Sequence, residues 1–424
     1  MSGLLPDRSL ANLTATRGRG IDAEALATAA ASINRVENNG ITALEALTEQ
    51  FEERPDGMGL FLSRDELQTV LDSISSSDRA LLERVADRIE TFAGTQLASL
   101  APLDGVPVPG GTAGQSVAPV ERAGCYSPGG RYPLPSSVLM TAVTARTAGV
   151  NEVWVASPRP TDITLAAAAV AGADGFLVAG GAHAIAAMAL GAGPLAPCDV
   201  VVGPGNRYVT AAKQLVYGRV GIDMLAGPSE LVVLADDSAD DAVVAADLIA
   251  QAEHDPDALP VLVTTDPSLP GRVRDRLEKQ LATLPTARIA TPALLGGGTV
   301  VAGDLAEAIA ACDALAPEHL QLSVRDPEAV RGLLSHYGAV FVGEGSAEVF
   351  GDYGVGPNHV LPTGGTARFS GGLSVFTFLR VRTWLQIEPS ADLIADAAGL
   401  ARLEGLEGHA RAAERRLPEA FDGR

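Results

Sequence analysis

The chain has 424 residues, 47% of them hydrophobic, which is enough for two or three packed units with sizeable cores. Its 52 acidic side chains outnumber the 31 basic ones, and the net charge of −21 repels both nucleic-acid backbones and anionic membranes. The composition therefore argues against a nucleic-acid-binding or membrane-surface role and favours small-molecule substrates.

The N-terminus and the cysteine content predict a cytoplasmic protein. The first eight residues lack the basic segment and continuous apolar run that begin a secretory signal. The most apolar zone, residues 163–193, is broken by Asp174, His183 and glycines, which predicts a helix–strand–helix pattern and no membrane span. The three cysteines are widely spaced and predict no disulfide framework, as expected in a reducing compartment.

The first half of the chain changes from helical to alternating patterns. Residues 22–100 are predicted to be helical, because apolar residues recur at three- and four-residue spacing. Residues 103–114 are rich in proline and glycine, which predicts a turn-rich connector at a domain boundary. From 120 to 235, short continuous apolar runs alternate with alanine-rich helical patterns, as expected for a parallel sheet buried on both faces.

Two glycine-rich segments follow strand-like runs in this region. They begin at Tyr126 (Tyr-Ser-Pro-Gly-Gly) and at Gly203 (Gly-Pro-Gly-Asn). Backbone amides at such positions can bind a dinucleotide phosphate, although neither segment matches the GxGxxG fingerprint. Each is a weak indication by itself.

The next segment predicts a helix that carries a candidate metal pair. Ser238 is predicted to cap the helix, which then runs to the residues before Pro256. Gln251 and His254 are three residues apart, so they share a helix face near its last turn and can point at one ion. The alternative is a polar helix end that faces water.

The remaining strands and chemical motifs lie in the second half of the chain. Apolar runs at 259–265 and 338–343 predict a second α/β unit. Between them, Glu318 and His319 follow a proline, and adjacent residues in an extended segment diverge, so that one can face a substrate and the other water. An acid beside an imidazole suits two successive proton transfers, and the alternative is an ordinary loop pair.

The segment from Gly351 to Thr363 predicts a site loop. It contains three glycines and two prolines around Asp352 and His359. Aspartate, histidine and glutamine without thiolates indicate a borderline divalent ion in an open site, with Zn²⁺ preferred over Mn²⁺ or Co²⁺. After Phe378 the strands are predicted to end, and residues 391–416 form one or two helices that dock elsewhere.

Taken in order, these motifs resemble the histidinol dehydrogenase family from about residue 25 to the C-terminus. The matching segments are Tyr126-Ser-Pro-Gly-Gly, Pro135-Ser-Ser-Val-Leu-Met, Gly203-Pro-Gly-Asn, Gly227-Pro-Ser-Glu, Gln251-Ala-Glu-His, Ala316-Pro-Glu-His-Leu, Gly351-Asp-Tyr and Asn358-His-Val-Leu-Pro-Thr. The resemblance implies a zinc-dependent homodimer with one Zn²⁺ per subunit. It would oxidise L-histidinol through bound L-histidinal to L-histidine, the last steps of histidine biosynthesis, and reduce two NAD⁺.

The resemblance also implies a fold. It consists of two incomplete Rossmann-like parallel-sheet domains with helical N- and C-terminal extensions, intertwined in a homodimer. The implied segments are an N-terminal arm at 1–25, a first α/β domain with the metal and catalytic residues at 26–115 and 230–380, a nucleotide-binding α/β domain at 116–229, and a helical tail at 381–424 that reaches the partner subunit's site.

Site residues follow from the same resemblance. The implied metal ligands are Gln251, His254, Asp352 and the partner's His409. Glu318 would activate water and His319 would be the main acid/base. Substrate contacts would come from the four metal ligands and Glu318, together with Ser229, His359 and the partner's Glu404. Tyr126, His183 and Asn206 match the nucleotide contacts, and here the chain departs from the family, which usually has glutamine where this chain has His183.

Three other interpretations were compared with this one. A thiohemiacetal route would need a cysteine at the site, but Cys312 is flanked by apolar residues and is predicted to pack in the core. A related zinc- and NAD-dependent dehydrogenase of another small polar primary alcohol is the closest alternative activity. A non-catalytic binding protein is disfavoured because Glu318 and His319 are both present.

Overall fold

A computed structural model describes residues 3–15, 22–129 and 132–417. The chain divides into a first unit, Met1–Leu97 with Val120–Phe378, and a second unit, Ala98–Pro119 with Leu379–Arg424. Among the described residues, no helix combines the length and apolar character needed to cross a membrane.

Helices and strands alternate through most of the described residues of both units. The helices are α1 (Leu10–Ala15), α2 (Ala23–Gln50), α3 (Arg64–Ser73), α4 (Ser76–Ala98), α5 (Pro135–Thr147), α6 (Asp162–Val170), α7 (Gly181–Leu190), α8 (Arg207–Val216), α9 (Asp241–Ala252), α10 (Leu269–Leu281), α11 (Ala287–Gly296), α12 (Leu305–Leu315), α13 (Pro327–Arg331), α14 (Glu348–Asp352), α15 (Ala391–Leu403) and α16 (Glu407–Glu414). The strands are β1 (Phe61–Ser63), β2 (Leu103–Val108), β3 (Gly111–Pro119), β4 (Arg122–Tyr126), β5 (Glu152–Ala156), β6 (Gly175–Leu177), β7 (Val200–Val202), β8 (Gly221–Ile222), β9 (Glu230–Ala235), β10 (Leu259–Thr264), β11 (Gly298–Val301), β12 (His319–Ser323), β13 (Ala339–Val342) and β14 (Leu379–Ile387).

A six-stranded sheet forms one half of the first unit. Its strand order is β1-β6-β5-β4-β7-β8, and every pair is parallel except β1 with β6. Strands β5 and β6 follow β4 in the sequence and lie on one side of it, whereas β7 and β8 come later and lie on its other side. The topology therefore reverses between β4 and β7. In open α/β sheets, ligands bind outside the carboxyl ends of strands at such a reversal.

A five-stranded, fully parallel sheet forms the other half, in the order β11-β10-β9-β12-β13. Its central strand β9 is buried along its whole length, which explains its continuous apolar run, because both faces are covered by helices. The predicted mixed α/β class with parallel sheets is therefore confirmed.

Helix α2 packs against the six-stranded sheet. Its apolar stripe, which includes Ala25, Ala29 and Ile33, belongs to the core on the α7–α8 face of the six-stranded sheet. The family resemblance implies a grouping of residues 26–115 with residues 230–380, which contain the five-stranded sheet. Helical periodicity identifies the buried face of a helix but not the surface that covers it. The detailed domain boundaries remain a prediction.

The second unit contains a sheet that the sequence did not predict. Strand β3 pairs antiparallel with both β2 and β14. Two expectations were wrong: residues 103–114 are not only a connector, and the strands do not end at Phe378. Pro107 is compatible with a strand because β2 is at the sheet edge. The alternating residues of β14 were the missed signal. The expected terminal helices are confirmed as α15 and α16.

Candidate active site

Several predicted site residues meet at the amino-terminal edge of the five-stranded sheet. Glu230 begins β9 and His319 begins the neighbouring strand β12. Helix α9 follows β9 and runs back across the sheet, so its last turn brings Gln251 to the same edge. The right-handed return of a helix after a parallel strand therefore unites residues that are far apart in the sequence.

Helix α9 differs from the prediction at its start. Asp240 is the N-cap, and its side chain accepts a hydrogen bond from the Ala242 amide at 2.8 Å. Ser238 instead donates its hydroxyl hydrogen to Asp236. The predicted cap at Ser238 was wrong because several consecutive residues here can cap a helix, and their types alone do not choose among them.

Glu318 is a buried carboxyl group with two donors on one oxygen. Its Oε2 accepts hydrogen bonds from Ser229 Oγ at 2.6 Å and from the Glu230 amide at 2.9 Å. Burial raises the pKa of Glu318 well above its usual range, and these two hydrogen bonds oppose the shift without cancelling it. The carboxyl group is therefore fixed in place and is a stronger base than an exposed glutamate once it is ionised.

His319 is held as a neutral base. Its Nδ1 lies 3.2 Å from the Glu230 carbonyl oxygen, and because a carbonyl only accepts, Nδ1 carries the hydrogen. Nε2 is left with a free lone pair, and it has no hydrogen-bond partner among the residues that the structure describes. Burial lowers the pKa of His319 to about 4, so the imidazole is neutral at pH 7.

The expectation that Glu318 and His319 face opposite environments was wrong. Both side chains are buried, at 7% and 3% exposure, and His319 Nδ1 lies 3.7 Å from Glu318 Oε2. Alternation along a strand separates side chains only where the strand is regular, and β12 begins at His319 with Glu318 preceding it.

Side chains of residue types that bind metal ions lie close to His319 Nε2. Asp352 Oδ2 is 3.5 Å from His254 Nε2, and Asp352 Oδ1 is 3.6 Å from His359 Nδ1 and 3.9 Å from His319 Nε2. Burial alone would raise the pKa of Asp352, but the hydrogen bond and charge of His359, together with His319 and His254, lower it overall. The structure thus brings Asp352 and three histidines together.

Glu348 is a site residue that the sequence reasoning missed. It is 3% exposed, and its Oε1 lies 3.6 Å from His319 Nδ1. Ligand atoms of Glu348, His254 and Asp352 all lie within 4.8 Å of one another. Glu348 precedes Asp352 by four residues on α14, so both share one helix face. A Glu-x-x-x-Asp spacing next to the glycine-rich loop was the available signal.

The donor set fits a divalent cation. The amide oxygen and nitrogen of Gln251 are fully buried, and neither these atoms nor the two Glu348 oxygens have a hydrogen-bond partner within the described ranges. Buried polar atoms without partners are costly, and a cation bound to the Gln251 and Glu348 oxygens would satisfy these acceptors. The His254 imidazole with carboxylate and amide oxygens suits a borderline ion such as Zn²⁺.

The predicted nucleotide contacts lie at the carboxyl edge of the six-stranded sheet. Tyr126 ends β4, and Asn206 caps α8 by accepting hydrogen bonds from the Tyr208 and Val209 amides. His183 lies on α7, and its Nε2 is 2.7 Å from Glu53 Oε2. All three therefore lie near the reversal between β4 and β7.

The bond between His183 and Glu53 changes what this imidazole can offer. Glu53 Oε2 also accepts the Gly180 amide hydrogen at 2.8 Å. Because a carboxylate only accepts hydrogen bonds, His183 Nε2 donates in their pair. The ring of Phe51 stacks on the imidazole with centroids 5.7 Å apart. The Nε2 hydrogen of His183, one of the implied nucleotide contacts, is thus already bonded to the protein.

Comparisons with known proteins identify the family. The family model described as histidinol dehydrogenase matches residues 16–417. The chain belongs to the histidinol dehydrogenase family. It is 50% identical over 342 residues to histidinol dehydrogenase from Thermus thermophilus, covering 80% of this chain and 82% of that protein. It is 42% identical over 403 residues to the Pseudomonas syringae pv. syringae protein of the same name, covering 91% of this chain and 88% of that protein.

A solved structure agrees with this assignment. The histidinol dehydrogenase from Elizabethkingia anophelis superposes with a TM-score of 0.90 at 31% identity, covering 99% of each chain. Membership of the histidinol dehydrogenase family makes the chain an oxidoreductase enzyme.

Two residues of the implied histidinol dehydrogenase site lie in the second unit. His409 is on α16, and Glu404 directly follows α15, and both are exposed. Arg402 joins these helices through ion pairs with Glu407 and Glu414. The first unit therefore supplies Gln251, His254 and Asp352, whereas the fourth implied metal ligand is on a separately described unit.

Proposed function

We propose that the chain catalyses the zinc-dependent, four-electron oxidation of L-histidinol through bound L-histidinal to L-histidine in histidine biosynthesis, with reduction of two NAD⁺. The observation that carries the proposal is the orientation of His319. Its hydrogen is on Nδ1, and its unpaired Nε2 faces the group formed by His254 and Asp352. A substrate alcohol held at that group would place its hydroxyl hydrogen within reach of a neutral base.

In this proposal His319 and Glu318 carry out different proton transfers. When bound, Zn²⁺ supplies Lewis acidity toward the substrate oxygen, and NAD⁺ supplies the hydride acceptor. His319 accepts the alcohol proton at Nε2 in the first oxidation. Glu318 takes a proton from the water that adds to the bound aldehyde, and burial strengthens it as a base. The hydrogen bonds from Ser229 and the Glu230 amide hold its carboxylate in place.

The ligand set and the partner assignment are parts of the same proposal. Gln251, His254, Asp352 and His409 of the partner subunit would hold Zn²⁺. Ser229, His359 and the partner's Glu404 would contact the substrate. Apolar side chains on the second unit support a homodimer, because Leu385, Leu400 and Leu403 are each more than half exposed in the single chain.

The burial of Cys312 supports a route without a cysteine thiolate at this site. Cys312 lies on α12, is fully buried in the apolar core of the five-stranded sheet, and has a thiol pKa that burial raises. Water activation at Glu318 therefore replaces a covalent thiohemiacetal step in the proposal.

Substrate turnover tests the proposal. Purified enzyme is assayed for NAD⁺ reduction with L-histidinol and with a panel of small polar primary alcohols, before and after chelation. We expect the highest kcat/KM with histidinol, loss of activity on chelation and recovery with Zn²⁺. Preference for another alcohol would replace the substrate assignment, and full activity after complete metal removal would refute the role of zinc.

A further inference from the structure

A buried ion pair lies behind the loop that joins β7 to α8. The side chains of Lys213, on α8, and Asp223, after β8, are 2% and 0% exposed and form an ion pair with each other. Lys213 Nζ donates to the Gly203 carbonyl oxygen at 2.9 Å, and Asp223 Oδ2 accepts the Gly203 amide hydrogen at 2.7 Å. The pair therefore forms hydrogen bonds with both the amide and the carbonyl group of Gly203.

Gly203 has a backbone conformation that favours glycine. Its φ is +118°, in a region that side chains rarely allow. A Cβ added to it would lie 1.9 Å from the Tyr126 carbonyl oxygen. The loop backbone at Gly203 therefore packs closely against the carboxyl end of β4. Three residues later, Asn206 caps α8.

The pair lies near the point where the topology of the six-stranded sheet reverses. Gly203 follows β7 and contacts the end of β4, and these are the two strands between which the sheet topology reverses. This crevice is the expected binding place for a dinucleotide in an open α/β sheet. A charged pair that fixes the backbone here also fixes the loop that leads to Asn206, one of the candidate nucleotide contacts.

We propose that Lys213 and Asp223 are positioning residues for the dinucleotide. They act through the Gly203 backbone and do not touch the cofactor themselves. The inference rests on the proposed use of NAD⁺. Loss of the pair would loosen the loop at Gly203 and Asn206 and weaken dinucleotide binding, while the histidinol site at the edge of the other sheet keeps its geometry.

The variants separate positioning from general destabilisation. Lys213→Met removes the donor to the Gly203 carbonyl but leaves a buried, unpaired carboxylate, which is strongly destabilising. The double variant Lys213→Met/Asp223→Asn removes both charges and keeps an acceptor for the Gly203 amide hydrogen. We expect the double variant to unfold at a higher temperature than Lys213→Met, yet to bind the dinucleotide as poorly.

A matched control lies at the opposite edge of the same sheet. Arg146 donates to the Gly172 carbonyl oxygen at 2.8 Å and pairs with Asp174, which accepts the Val153 amide hydrogen at 2.8 Å. Arg146→Met therefore also removes a cation that holds backbone carbonyl groups. It does so at the amino ends of β5 and β6, away from the reversal crevice.

NADH binding is measured by fluorescence titration of the zinc-loaded enzyme without histidinol, and KM values are measured for NAD⁺ and for histidinol. We expect Kd for NADH and KM for NAD⁺ to rise at least about tenfold in the single and double Lys213 variants, as for loss of a charged hydrogen bond. KM for histidinol should stay within about twofold. Arg146→Met should lower thermal stability without changing Kd for NADH.

The outcomes distinguish this inference from the proposed function. If the wild-type enzyme binds no NADH, the cofactor assignment fails and the positioning role fails with it. If the wild type binds NADH and the folded double variant binds it equally well, only the positioning role is overturned. An equal rise in Kd for Arg146→Met would also overturn it, because the effect would then be one of general stability.

Discussion

Replacing Asp247 by asparagine should stabilise the metal-free enzyme above pH 6. Asp247 lies on α9, one turn before Gln251, and is 8% exposed. Its Oδ2 has no hydrogen-bond partner in the described part of the chain. Burial, with a smaller contribution from the charge of Glu344, raises its pKa from 3.8 to about 6. The carboxylate is therefore a buried charge that folding must accommodate at neutral pH.

The sign and size of the effect follow from this pKa. The folded state binds the Asp247 proton more tightly than the unfolded state does, so protonated Asp247 contributes to the stability of the fold. This contribution is fully present below pH 3.8 and is lost as the pH rises through about 6. The raised pKa corresponds to at most about 3 kcal/mol between the two protonation states. Solvent near the exposed part of the carboxyl group reduces this free-energy difference. We therefore expect Asp247→Asn to raise the free energy of unfolding by about 1–2 kcal/mol at pH 8.

Denaturant unfolding at pH 4 and pH 8 measures the effect. The protein is kept metal-free with chelator, because a nearby cation would offset the buried charge. The variant should be more stable than the wild type at pH 8 and nearly equal to it at pH 4. Asp275→Asn, on the exposed face of α10, is the control and should change stability at neither pH. Equal or lower stability of Asp247→Asn at pH 8 would refute the reasoning.

Three further substitutions test the catalytic and cofactor residues. Glu318→Gln keeps an acceptor for Ser229 but cannot take a proton, so kcat with histidinol should fall about 10²–10⁴-fold; retention within tenfold would contradict its role. Cys312→Ala should keep activity, and a loss beyond about a hundredfold in kcat with the fold intact would restore the thiol route. His183→Gln can still donate to Glu53, so KM for NAD⁺ should be equal or lower, and a large rise would show that the imidazole itself is needed.

The sequence predicted what depends on local pattern. The continuous apolar run of β9 predicted a doubly covered strand, and that strand is the centre of a parallel sheet. The Glu318–His319 pair was recognisable because an acid and an imidazole stand together after a proline. Their burial was not recognisable, because it depends on which distant segments cover the start of β12.

Contacts between residues that are far apart in the sequence could not be predicted from local patterns. Glu53 and His183 are 130 positions apart, and nothing near either residue identifies the other as its partner. Glu348 became a candidate only when the fold placed its Oε1 3.6 Å from His319 Nδ1 and its carboxyl group near His254. The pairing of β14 with β3 joins segments separated by most of the chain, and it turned a predicted connector into part of a sheet.

The number of NADH molecules formed per histidinol consumed tests the central claim most directly. The enzyme is given limiting L-histidinol with excess NAD⁺, before chelation, after chelation and after Zn²⁺ is restored. We predict two NADH and one histidine per histidinol, loss of turnover on chelation and recovery with Zn²⁺. One NADH per histidinol, with histidinal released as the product, would contradict a four-electron oxidation at one site.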